Sequence, residues 1–305
     1  FLKNPPAQPF FLSLGFFETH RPFPSSESSS PHCLPIAPVA DTPDTRRDMA
    51  GFLASLRVLD EGTGAVLDCL AASGLEEDTL VIFTSDHGPP FPGMKCTLSD
   101  QGLGVALILS GPGGFDGGRI LDAQVSHLDL FPTLCDLLAI PPPCWLQGKS
   151  LLPLIRGERG QLHEALYGEV NYHGAWEPQR SLRTARWKYI RRFDLRREPV
   201  LCNVEDSPSK SLWLESGWPA LELAGERLHD LLLDPAERGN LALDPVDGAV
   251  LDDLRQRLER WMLASDDPLL TGRIPAPPGT LVNDADSVSP GEALLTAEAW
   301  ERRHA

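Results

Sequence analysis

A ten-residue stretch, Thr79 to Gly88 (TLVIFTSDHG), constrains this chain more than any other. Leu80 to Thr84 are apolar or β-branched with no polar alternation, the pattern of a strand buried on both faces of a parallel sheet. The run stops at Ser85, Asp86, His87 and Gly88. Open α/β sheets bind their ligands beyond the carboxyl ends of buried strands, so a carboxylate and an imidazole there mark a site. Asp86 and His87 are donors that suit a divalent metal, and Gly88 allows a tight turn beside them. The same residues also fit a polar turn in which Asp86 caps the next segment of backbone, because two adjacent donors do not fill a coordination shell.

A chain of 305 residues has room for one large domain and a smaller one. No stretch of about 18 uncharged apolar residues occurs, so no membrane-spanning helix is expected. The opening FLKNPPAQPFFLSLGFF is a poor signal peptide, since Pro5 and Pro6 interrupt it and no small-residue cleavage site comes after it. It reads instead as a loop entering a buried strand, Pro9 to Phe17. The net charge of −16 disfavours nucleic acid and anionic membrane as partners. The six cysteines show no CxxC spacing and read as buried thiols.

Past the Pro9–Phe17 strand come His20 and Arg21, on the rim assigned to Asp86, then a Ser- and Pro-rich loop. Thr42 and Pro43 start a helix whose apolar stripe runs from Met49 to Leu70 and ends at Gly74. Beyond His87 a Pro/Gly loop carries Lys95, whose ammonium could meet an anion, and Val105 to Ser110 forms a further strand. Val125 to Ala139 reads as a strand end and an amphipathic helix, with His127 and Asp129 serving as structural polar groups at its entrance. From Leu151 the texture becomes that of antiparallel strands, Ala165–Glu169 and Arg180–Phe193, separated by a turn with Tyr172, His173 and Trp176. Eight Arg or Lys residues between Arg180 and Arg197 predict a strand face paired with acidic neighbours. A short strand comes next within Gly225–Leu243, then a helix over Val250–Leu263, and a Pro/Gly/Asp-rich tail that wraps the surface or is partly disordered.

Taken together, FFETHRPF, DTPDTRRDMAGFLASLRVLDEGTGAVLDCL, DTLVIFTSDHGPPFPGMKCTLSDQGLGVALILSGPG, VSHLDLFPTLCDLL with GKSLLPLI, LRTARWKYI and LHDLLLDPAERGNLA resemble the sulfatase family of the alkaline-phosphatase-like superfamily. YHGAWEPQRSLRTARWKYIR and LERWMLASDDPLL are most similar to its heparan N-sulfatase (N-sulfoglucosamine sulfohydrolase) branch and bacterial relatives. The resemblance implies an α/β, alkaline-phosphatase-like sandwich with a mostly parallel central sheet, amino-terminally incomplete, plus a small antiparallel sheet and helix. Domain limits are expected at 1–155, 156–265 and 266–305. The implied activity is hydrolysis of a sulfate ester or sulfamate on a sulfated sugar; phosphate or phosphonate ester hydrolysis, or a non-catalytic binding module, are the rival readings.

The resemblance also assigns roles. Asp86 and His87 become ligands of a divalent cation, calcium by family habit, with Mn²⁺ or Mg²⁺ as alternatives because His87 replaces the usual Asn. Lys95 becomes the lysine on the sulfate and leaving-group oxygen, and His20 the proton donor to the leaving group. His173 and Arg21 become groups that hold the substrate. The family's formylglycine nucleophile and paired aspartates are expected ahead of Phe1. Cys33-Leu34-Pro35 imitates the start of that motif, but Ile36 and Ala37 replace the small hydroxyl residue and the arginine, and Cys33 is rejected as nucleophile. Ser99, Gly104 and Ala106 stand where relatives carry Tyr, Arg and Pro.

Overall fold

A computed structural model describes residues 1–2, 8–25, 31–244 and 248–304. The Ser-rich part of the loop after His20, residues 26–30, lies outside the described residues. Two compact units interleave along the chain. One comprises Phe1–Phe17, Arg57–Asp86 and Val105–Leu166; the other comprises Glu18–Leu56, His87–Gly104 and Tyr167–Ala305.

Helix α1, Pro43–Ala72, starts as its sequence dictates: the Thr42 hydroxyl accepts from the Thr45 amide at 3.2 Å and Pro43 occupies the first turn. Gly62 sits inside this helix at a propensity cost of about 1 kcal/mol relative to Ala. Its role is space, since a Cβ there would stand 2.7 Å from the Phe16 ring.

In the first unit, strand β1 (Val81–Thr84) pairs with β2 (Leu107–Ser110), the two separated in sequence by the short helix α2 (Asp100–Leu103). The pairing is antiparallel, with Val81 opposite Ser110 and Thr84 opposite Leu107. This corrects the expectation of parallel neighbours for these runs, because an apolar strand has the same composition whichever way its partner points. Val81 to Phe83 are half-buried and Thr84 is exposed. Pro9–Phe17 is also corrected: it forms no strand, and Phe11 and Phe17 are 85% and 68% exposed. Apolar content alone supplies no ladder partner. Helices α3 (Leu130–Leu137) and α4 (Leu152–Ile155) close this unit's core, where Leu151, Leu152, Leu154 and Ile155 pack with Leu80, Leu109 and Leu137.

In the second unit, β3 (Leu166–Tyr172), β4 (Trp176–Arg183), β5 (Trp187–Arg192) and β6 (Glu226–Asp230) form one sheet in chain order, with helix α5 (Pro208–Glu215) inserted before β6. The β4–β5 and β5–β6 pairs are antiparallel. Helix α6 (Gly248–Ala264) buries Leu251, Leu254 and Leu258 of the face expected from its period, together with Met262 in place of the expected Trp261, which is only half-buried, against β4 and β5. Most of the basic run is paired with acid as expected: Arg183 and Lys188 meet Asp100, Arg186 meets Asp230, and Arg192 meets Glu177 and Asp194. Arg180 is fully buried and forks onto Asp267 at 2.5 and 2.9 Å.

The tail corrects its expectation too. Strands β7 (Leu281–Val282) and β8 (Leu295–Thr296) pair, and helix α7 (Ala297–His304) buries Trp300 with Ala276, Val282, Tyr172 and Trp176.

Candidate active site

The second unit brings together three side chains far apart in sequence. Lys95 lies in the loop after Gly88, its amide donating to the Pro89 carbonyl at 3.2 Å, and the residue is 7% exposed. Gly88 is required here by close approach: its amide donates to the Gly102 carbonyl, and a Cβ would fall 1.7 Å from the Gln101 carbonyl oxygen. The Lys95 ammonium donates to Glu205 Oε1 at 2.8 Å and lies 3.3 Å from His20 Nε2. His20 Nε2 in turn stands 2.9 Å from the same Glu205 oxygen. His20 Nδ1 is 2.7 Å from the Arg21 carbonyl, which only accepts, so Nδ1 carries a proton. Nε2 is therefore the ring nitrogen that faces Lys95 and Glu205.

Arg21 is held inward. Its guanidinium forks onto Asp48 of α1 at 2.6 and 2.8 Å and lies over the rings of Phe23 and Phe91. Ser209 of α5 also donates to Asp48, at 2.6 Å. His20, Arg21, Asp48 and Glu205 line a cleft of about 550 Å³.

Glu205 comes just after a single 3-10 turn, Leu201–Asn203, that ties it to the β3–β4 turn. Asn203 Oδ1 accepts from the Gly174 and Ala175 amides at 3.0 and 2.8 Å, and its Nδ2 donates to Glu177. That turn presents His173, a surface residue whose ring is nonetheless partly desolvated. The desolvation, then the Lys95 charge, lower its pKa and favour the neutral imidazole. Burial pushes the Cys96 thiol, next to Lys95, up to about 12, so it is no thiolate at neutral pH. Cys33 is packed in an apolar cluster with Met49, Phe52 and Phe91, an environment that suits a core thiol.

Asp86 lies two residues beyond β1, and His87 begins the loop that leads to Lys95. The His87 Nδ1 donates to the Gly88 carbonyl at 2.8 Å, which fixes the tautomer with its lone pair on Nε2, the form that ligates a cation. In donor chemistry the two residues therefore fit a divalent ion. No group of three or more His, Cys, Asp or Glu able to hold a metal occurs among the described residues. His127 and Asp129 are structural, as expected: Asp129 is fully buried and accepts from the Ser126 and Lys149 amides and from His163, while His127 meets the Thr84 hydroxyl.

The sequence singled out His20, Lys95, His173 and Arg21, and the second unit holds all four. It missed Glu205 and Asp48. A Glu in a loop 110 residues from Lys95 carries no local pattern, and Asp48 reads only as one polar residue of a helix.

Comparison with known proteins gives the family. The family model described as Sulfatase matches residues 1–140, and that described as N-sulphoglucosamine sulphohydrolase, C-terminal, matches residues 94–212. The human N-sulphoglucosamine sulphohydrolase is 30% identical over 92% of this chain and 65% of its own length. An ulvan-active sulfatase of Formosa agariphila is 29% identical over 76% of this chain and 41% of its own. The solved structure of a 2-O GAG sulfatase superposes with a TM-score of 0.61 at 28% identity, covering 76% of this chain and 46% of that one. The chain thus spans about two fifths to two thirds of the length of these relatives. The two models together match residues 1–212, and the chain belongs to the sulfatase family and has its alkaline-phosphatase-like fold.

Proposed function

We propose that this chain carries the leaving-group side of a hydrolase that cleaves a sulfate ester or sulfamate on a sulfated sugar. The observation that carries the reading is the contact of a nearly buried lysine, Lys95, with His20 and Glu205 beside a cleft. A sulfuryl group spreads negative charge over its oxygens, and cleavage adds charge to the departing oxygen or nitrogen. A preorganised ammonium in a water-poor setting stabilises that charge far better than water does. Lys95 takes this role, and His20 Nε2 delivers the proton to the leaving atom. His173, favoured as the neutral imidazole, offers a hydrogen bond to the sugar without adding charge. Arg21, bound to Asp48, supports the substrate side of the cleft and fixes the backbone carbonyl that orients His20.

Asp86 and His87 are proposed as this chain's ligands to a divalent metal, calcium first and Mn²⁺ or Mg²⁺ as alternatives. Such an ion, when bound, adds a positive charge that polarises the sulfuryl oxygens. No cysteine of this chain is proposed as nucleophile; the formylglycine belongs to the proposal for the whole protein alone. Within the same proposal residues 1–155 form the carboxyl-side part of the catalytic α/β domain, 156–265 the antiparallel subdomain and 266–305 the tail.

The test is turnover by the whole natural protein of glucosamine sulfates, an aryl sulfate and an aryl phosphonate. Release of sulfate that falls by roughly 10²–10³ in Lys95→Met supports the reading. Faster turnover of the phosphonate than of any sulfate, or full sulfatase activity in Lys95→Met, overturns it.

A further inference from the structure

We propose that Glu205 sets the charge that the anion subsite accepts, admitting a monoanionic ester and disfavouring a dianionic one. This rests on the assignment of Lys95 and His20 above. Glu205 Oε1 accepts from Lys95 at 2.8 Å and meets His20 Nε2 at 2.9 Å, so one carboxylate oxygen is shared between the two groups that would face the ester. Its Oε2 is buried and has no hydrogen-bond partner among the described residues. The carboxylate charge is therefore directed onto the subsite rather than spent elsewhere.

The other charged groups that line the cleft are paired: Arg21 with Asp48, Arg47 with Asp44 and Asp206 with Lys210. Lys95 and Glu205 cancel each other. A sulfate monoester or sulfamate carries a single negative charge. A phosphate monoester carries close to two above its second pKa of about 6. Coulomb repulsion scales with the ligand's charge, so the Glu205 carboxylate opposes the dianion about twice as strongly as the monoanion. With Lys95 7% exposed and the Glu205 side chain 20% exposed, solvent screens the effect only in part.

The experiment is calorimetric titration of the full chain with methyl sulfate and with methyl phosphate at pH 8, in the presence of a chelator. The native chain is expected to prefer methyl sulfate. Glu205→Gln keeps the side chain's shape, and should tighten methyl phosphate by roughly 10- to 100-fold while changing methyl sulfate less, which collapses the preference. Glu205→Asp retains the charge and should retain the preference, which separates a charge effect from a packing effect. An unchanged ratio of the two affinities in Glu205→Gln, with Lys95→Met weakening both ligands, overturns the role of Glu205 and leaves the site assignment standing. Equal binding of both ligands by the native chain and Lys95→Met overturns the site assignment and this inference together.

Discussion

Arg21 and Asp48 meet in two parallel hydrogen bonds of 2.6 and 2.8 Å, with the Asp48 side chain only 3% exposed. Such a fork suits a planar guanidinium and not an ammonium. Arg21→Ala leaves a buried carboxylate whose remaining partner is Ser209, and the expected loss is about 3–5 kcal/mol. The double change Arg21→Met with Asp48→Leu removes both charges and should recover most of it. Urea denaturation of the three chains checks this. Equal stabilities for the native chain and Arg21→Ala would show that the pair contributes nothing.

The proposed proton donor has a sharper signature than a loss of rate. A general acid matters most for a poor leaving group, because a good one departs without a proton. His20→Gln is therefore expected to slow cleavage of a sugar sulfate by roughly 10²–10⁴ and to change turnover of a nitrophenyl sulfate much less. Rate ratios for the two substrates in the whole protein decide it; equal losses on both would assign His20 to binding.

Local signals carried through where local physics decides the outcome. Thr42, Pro43 and the Met49–Leu70 stripe specify α1 because capping and helical period are encoded within a few residues. Arg180–Phe193 likewise announces β4 and β5. Strand direction did not carry, since Val81–Thr84 and Leu107–Ser110 contain nothing that distinguishes a parallel partner from an antiparallel one. Nor did the apolar Pro9–Phe17 run, where composition imitates a strand that does not form. The site was half legible: His20 and Lys95 stand at recognisable motif positions, whereas Glu205 acquires meaning only once folding brings it 2.8 Å from Lys95. Trp300, in a helix of eight residues after a Pro-rich tail, was hidden by the average composition around it.

His229 gives a pH prediction with a definite sign. It is 2% exposed on β6, opposite Lys188 in the β5 register, and burial, together with the smaller effect of the Arg227 charge, pushes its pKa down. The unfolded chain takes up this proton near the ordinary value of about 6.5, while the folded chain resists it. Stability is therefore fully present above that pH and is lost as pH falls below it. His173 has the same sign, so the two losses add. His229→Leu should show a smaller drop in urea midpoint between pH 7 and pH 5 than the native chain. An identical drop would remove His229 from the account.

The tail reaches the site through packing. Trp300 is 1% exposed and lies edge-on to Tyr172 and Trp176, the residues that flank the His173 turn, while the Arg273 guanidinium sits 3.8 Å from its ring centroid. Arg180 of β4, forked onto Asp267, anchors the start of the same tail. Removing the indole by Trp300→Ala should cost about 3–5 kcal/mol, as for other buried aromatics, and leave a cavity beside Tyr172. Asn203 still grips the Gly174 and Ala175 amides, so the turn would loosen rather than unfold. The expected result is faster amide hydrogen exchange across residues 172–176 and a raised KM with kcat nearly unchanged, because His173 binds the sugar in the proposed mechanism while Lys95 and His20 act on the bond. A fall in kcat at constant KM would instead tie the tail to the Lys95–Glu205–His20 cluster.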